Sequence, residues 1–245
     1  MTWLSLGTEA ILEKHVEKSL IQSITDSCIE LKSRRTESAP YPNPTKLSNF
    51  NRANSNCIVM QQSLLHRMEK LTLSLGDMLL HSNVYGLALL IRAHYESAAL
   101  LGYFCYRLNS LKCGYISFDD FQHDLARVMI SSKHDHFKEA PLPQNILKCI
   151  DRTDKYLSGE LGFKTSNIVA DNHGWLSEFC HPNFLSMSSS LLVDKENEQI
   201  VFRHGAKMLE REAQLLGYSD ISLKLFVLLF DAFDEMRLDR FAQKL

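Results

Sequence analysis

Glycine and proline are scarce: 10 and 6 in a chain of 245 residues. So few breakers exclude collagen-like and low-complexity chains and leave room for long helices. The 6 cysteines (28, 57, 105, 113, 149 and 180) contain no Cys-x-x-Cys pair, which removes the usual zinc and thioredoxin-type spacings. Several sit among apolar residues at helical intervals, where a thiol acts as a small hydrophobe. That usage suits a reducing cytoplasm better than a disulfide framework. Phosphate-binding Walker loops, GxGxxG, HExxH and GxSxG are all missing. A net charge of −2 gives no global basic surplus that would advertise nucleic acid, although a local basic cleft is compatible with it.

Leader and membrane signals are also missing. "MTWLSLGTEAILEKHVEKSL" has no basic region followed by an unbroken apolar run, so no secretory leader is expected. The most apolar segment, "VYGLALLIRAHYESAALLGYF", is long enough to span a bilayer. It carries Arg92, His94 and Glu96 at its centre, however, which is costly in lipid. The expectation is a buried helix, with no membrane association and a cytoplasmic location.

What is abundant is helical periodicity. Hydrophobic residues make up 45% of the chain, enough for a sizeable core, and they recur at helical spacing almost throughout. The fold predicted is an all-α bundle of six to eight helices. A first, detachable helix spans 8–33, followed by the Pro/Ser/Asn-rich linker "SRRTESAPYPNPTKLSNFNRANS". These make an N-terminal unit, 1–55, and leave a bundle domain, 56–245. Helices are expected at 56–81 and 83–109, joined by a short antiparallel turn. Another starts at Ser117, with an acid three residues on to complete a cap, and "NILKCIDRTDKYL" forms the next. A loop over 158–171 follows. The β-capable runs "SLLV" and "QIVF" flank a polar turn and predict a small hairpin within 189–202. Closing helices are placed at 205–217 and 219–243.

Two stretches carry the candidate chemistry. Arg92 and Glu96 stand four residues apart on one helical face, with Tyr85 and Tyr103 near the same stripe. In a helix that is apolar all round, such charges need partners. They can form a structural ion pair, or Glu96 can hold the Arg92 guanidinium at the base of a cleft to fork onto a phosphate or carboxylate. The second stretch is "HGWLSEFCHPNF". Asp171 or Asn172 can cap a helix beginning at His173, which places His173 on solvent in the first turn. His173, Ser177 and His181 then form a polar line opposite Leu176, Phe179, Cys180 and Phe184. Pro182 ends or kinks the helix at His181. A histidine at a break can face a cleft and serve acid–base work, or simply bond a carbonyl or Glu96 within the bundle. "KHDHF" and "DDFQHD" place histidines beside acids, but without a fuller ligand set they read as polar surface. No metal or other cofactor is expected.

"RAHYE" followed much later by "WLSEFCHPN" resembles a set of uncharacterised bacterial all-helical proteins. Their plan is similar to that of the HEPN superfamily, helical bundles that often dimerise. Many members are metal-independent ribonucleases of toxin–antitoxin or phage-defence systems. Their active motif is Arg, a polar residue, and then His. Aligned on the histidine, His181 takes the His position and Ser177 the polar one, while Leu176 stands where the Arg belongs. The resemblance, over about 56–245, implies that Arg92 supplies the missing cation from a neighbouring helix, or that the site binds without cutting. In the first case His181 is base or acid, Arg92 neutralises phosphate charge, Ser177 orients and Glu96 fixes Arg92. His173, Tyr85 and Asn183 would contact the ligand. RNA, a protein partner encoded nearby and a homo-oligomer are the partners this implies. The alternative is a non-catalytic helical module for a protein partner or small anionic ligand.

Overall fold

The computed structural model describes residue 4 and residues 16–41, 48–137, 139–204 and 214–237. Among them are eight α-helices and one two-stranded antiparallel hairpin, the all-α bundle expected. The helices are α1 (Lys18–Ser33), α2 (Asn49–Leu80), α3 (Val84–Lys112), α4 (Phe118–Met129), α5 (Ile146–Gly159), α6 (Ile168–Cys180), α7 (Phe184–Ser188) and α8 (Leu215–Met236). Strands β1 (Leu191–Asp194) and β2 (Gln199–Phe202) pair in continuous register from Leu191 with Phe202 to Asp194 with Gln199. No helix among the described residues is long and apolar enough to cross a membrane.

Helix α3 is the axle, packed by α2, α5, α6 and α8. Its sequence explains why: Ala98, Ala99, Leu101 and Phe104 point in different directions, yet all have no exposure. A helix apolar on every side is stable only when surrounded. Its approach to α5 is close because position 102 lacks a side chain. A Cβ there would stand 2.4 Å from Thr153 Cγ2, and Thr153 Oγ1 donates to the Ala99 carbonyl across the gap at 2.8 Å.

Several boundaries differ from those the sequence predicts. Helix α2 starts at Asn49 rather than 56, so the expected domain boundary at 55/56 falls inside it. Ser48 caps it by accepting from the Asn51 N–H. Ala53 and Cys57 face the core, and Phe50 stacks on Phe118 of α4. The polar "NFNRANS" is therefore a helix with one apolar edge. Helix α1 shares the main core: Ile24 and Leu31 have no exposure. Arg34, just after it, forks onto Asp231 of α8 at 2.7 and 2.6 Å. Ser117 does cap α4, in a reciprocal box with Asp120. The expected helix at 205–217 lies mostly outside the described residues, as do the first part of 8–33 and the end of 219–243.

Candidate functional site

Helix α6 begins at Ile168, within the stretch expected to be loop. Its cap is not local: Asn167 makes no side-chain capping bond. Instead Asp154 of α5 accepts from the Val169 and Ala170 N–H groups at 2.9 and 3.0 Å, one on each carboxylate oxygen. A carboxylate is the right partner for the orphan donors of a helix start. Burial holds the Asp154 carboxyl above its usual range, against the pull of those two bonds.

This start corrects the expected environment of His173. The residue lies in the second turn, not the first, and is 5% exposed. Its Nε2 meets the α3 pair. Arg92 Nε donates to His173 Nε2 at 3.2 Å. Glu96 Oε1 lies 3.3 Å from Arg92 Nε and 3.4 Å from His173 Nε2. Three atoms thus form a triangle, and the proton on Nε2 decides how its edges are used. Without it, the ring accepts from Arg92. With it, the ring donates to Glu96, and Arg92 Nε turns to the same carboxylate. The bond to His173, followed by the Arg92 charge, holds the Glu96 carboxyl below its usual range despite partial burial. Arg67 of α2 adds to that field, its Nε donating to Ser97 Oγ at 3.2 Å. The side chains of Arg92 and Glu96 are a quarter to a third exposed (26% and 31%), so the cation remains within reach of an anion from solvent.

His181 is not at this triangle's bonded edges. It is the exposed C-terminal cap of α6, with extended backbone ahead of Pro182. From 173 to 181 the helix advances about 12 Å, at about 1.5 Å per residue. Ser177, between them, donates its hydroxyl to the His173 carbonyl at 2.7 Å. Tyr85 donates to the Ser186 carbonyl at 2.7 Å, tying α3 to α7. Asn183 caps α7 in a reciprocal box with Ser186. Tyr103 faces elsewhere, donating to Asp124 Oδ2. The structure therefore joins Arg92, Glu96 and His173 and places Ser177 one turn away. His181, Asn183 and Tyr85 gather near the α6–α7 break.

Two participants escaped the sequence reading. Arg67 carries no local signal, being one cation among several on α2. Asp154 lies in "DRTDKYL", where nothing marks it as the cap of a helix that starts 14 residues later; only the α5–α6 contact makes it so. A cavity of about 460 Å³ lies at that contact, lined in part by Asp151, Asp154, Lys155, Asn167 and His173. A second histidine, His94, is fully enclosed between Thr72 and Ser222. Burial, with Arg67 nearby, pushes its pKa down to about 3, so it stays neutral and structural. Among the described residues no three His, Cys, Asp or Glu side chains converge in a way that could hold a metal.

In comparison with known proteins, no family model matches the chain, and no curated protein or solved structure matches it. The fold and the triangle are the grounds for a functional reading.

Proposed function

We propose that this bundle is a HEPN-like bacterial conflict or phage-defence protein that engages RNA in the cytoplasm, with Arg92 as its phosphate-binding cation. One observation carries the reading: a partly exposed guanidinium on the central helix is held by Glu96 while a buried imidazole contacts the same atom. Held in this way, Arg92 keeps N–H groups for a ligand oxygen and loses little freedom on binding. The reaction proposed is metal-independent cleavage. The ribose 2′-oxygen attacks its own phosphorus, a base takes the 2′ proton, the bond to the 5′-oxygen breaks, and that oxygen takes up a proton. Arg92 would stabilise the charge that develops on phosphate. The exposed His181 is the residue free to carry a proton, and His173 with Glu96 would set the position of Arg92.

A second reading, a non-catalytic module binding an anionic ligand or protein partner, draws on a different observation. His181 stands at the far end of α6 from His173, and His173 already has both Arg92 and Glu96 on one nitrogen. The test is cleavage and binding of total bacterial RNA in EDTA by wild type, His181→Ala and Arg92→Gln, each checked by circular dichroism. Under the nuclease reading wild type cuts, and both folded variants lose at least about a hundredfold in rate, the lower end for a positioned acid or base. Binding without cutting, weakened only by Arg92→Gln, selects the second reading. If wild type neither binds nor cuts RNA, both RNA roles are wrong.

A further inference from the structure

The hairpin differs from the rest of the molecule in what it leaves uncovered. Leu191, Val193, Ile200 and Phe202 share one of its faces, Leu192 and Val201 the other. Val193, Ile200 and Phe202 are 70%, 62% and 66% exposed. The opposite face is open as well, with Leu192 and Val201 both exposed. Natural edge strands are usually blunted by lysine, proline or a bulge. Between Gln199 and Phe202, β2 has none of these, and its register with β1 is unbroken.

The register also fixes which backbone groups of β2 point away from β1. The Arg203 N–H donates to the Ser190 carbonyl at 2.9 Å, which continues the ladder by one pair. Bonded and non-bonded pairs alternate in an antiparallel ladder. Arg203, Val201 and Gln199 therefore turn their N–H and C=O groups toward β1. Ile200 and Phe202 turn theirs to the open edge.

We propose that two copies of the chain associate through this edge, β2 against β2, antiparallel about a two-fold axis at Val201. The result is one four-stranded sheet in the order β1–β2–β2–β1. An axis at Val201 sets Ile200 opposite Phe202 of the second copy, twice, and these are the residues whose donors and acceptors face outward. The pairing is thus self-complementary in hydrogen bonding, as a two-fold contact must be. One pair further out, Gln199 comes opposite Arg203 of the second copy, an amide oxygen against a guanidinium that can donate to it, while Glu198, with φ 54°, has already left the strand for the turn. The corresponding axis on the β1 edge, at Leu192, would set Asp194 and Lys195 opposite Ser190 and Ser189, with no such match. The apolar face then runs without interruption from one copy's Val193 through Ile200 and Phe202 to the other copy's, where cross-strand pairs stabilise. This association is independent of what Arg92 binds.

Three variants of the full chain test it, with sedimentation velocity and oxidative cross-linking as readouts. Val201 on the axis forms a non-bonded pair with itself, with Cα atoms about 4.5 Å apart, within the range a disulfide spans. Val201→Cys should therefore cross-link to a dimer under mild oxidation, well above the background of the native cysteines. Ile200→Pro removes only an outward donor, which the hairpin itself does not use. It should weaken dimerisation about tenfold or more, one lost bond being repeated by symmetry. Val193→Pro, the same change on the β1 edge, should leave the dimer intact. A wild type that sediments as one chain across the micromolar range overturns the proposal. So does a dimer that survives Ile200→Pro and does not cross-link at position 201, because it would use another surface.

Discussion

Glu96 concentrates the chemistry of the site on a single carboxylate oxygen, which faces both Arg92 and His173. The carboxyl is held low in the folded chain, so the sign of its pH dependence follows. Above the ordinary glutamate range the carboxylate contributes stability. As pH falls through the depressed folded value, it is protonated and the contribution is lost. Glu96→Gln should therefore cost about 1 kcal/mol near neutrality, discounted for its partial exposure. Urea midpoints of wild type and variant should begin to draw together as pH falls through the free-glutamate range, about 4.3, and meet only below the depressed value of the folded chain. A gap that stays constant with pH would mean that the Glu96 charge contributes nothing. The same residues show what was legible at this scale. The i,i+4 spacing of Arg92 and Glu96 was enough to pair them. The identity of the third partner was not, because it depends on where α6 starts. Asp171 and Asn172 look like caps, and taking them as such turns His173 outward. The working cap, Asp154, arrives from another helix, and the earlier start rolls His173 into the protein.

Among the elements, the α3–α5 contact is the tightest constraint. Thr153 is β-branched and its hydroxyl is tied to both the Ala99 and Cys149 carbonyls, so it cannot swing aside for a new methyl group. Gly102→Ala should destabilise by about 1–3 kcal/mol, the usual cost of overpacking. Thr153→Ala in the same chain should recover part of that loss, because the atoms nearest the added Cβ are Thr153 Cγ2 and Oγ1. Thermal melts of the two single variants and the double variant measure the coupling; strictly additive effects would refute the steric account. Legibility was uneven here for a physical reason. Helices and breaks set by local chemistry, such as the Ser117 box and the Pro182 stop, were readable. So was the hairpin, expected within 189–202 and found there. The start of α2 was not, because Asn and Ser around Phe50, Ala53 and Cys57 carry the signature of a loop. Contact with α4 makes them helical.

For the whole molecule, the N-terminal helix is part of the core rather than an appendage. Leu31 has no exposure, and the Arg34 fork to Asp231 closes the end of the α1–α8 contact. Leu31→Ala should then cost about 2–5 kcal/mol and lower the single unfolding transition of the entire bundle. A separate, earlier transition with the main one unchanged would restore the idea of a detachable unit. The order of the helices around α3 was not readable from sequence at all, since an all-apolar helix announces that it is surrounded without saying by which neighbours.

The two ends of α6 are fixed by different means. One is clamped by a single carboxylate on α5, and the other stops at a proline. Between these ends α6 lies packed along α3, and His173, less than two turns from the clamp, lines the cavity beside Asp154 as well as bonding the α3 pair. Whatever occupies that cavity would therefore meet the Arg92–Glu96–His173 triangle from behind, at the imidazole, with no direct contact to Arg92 required.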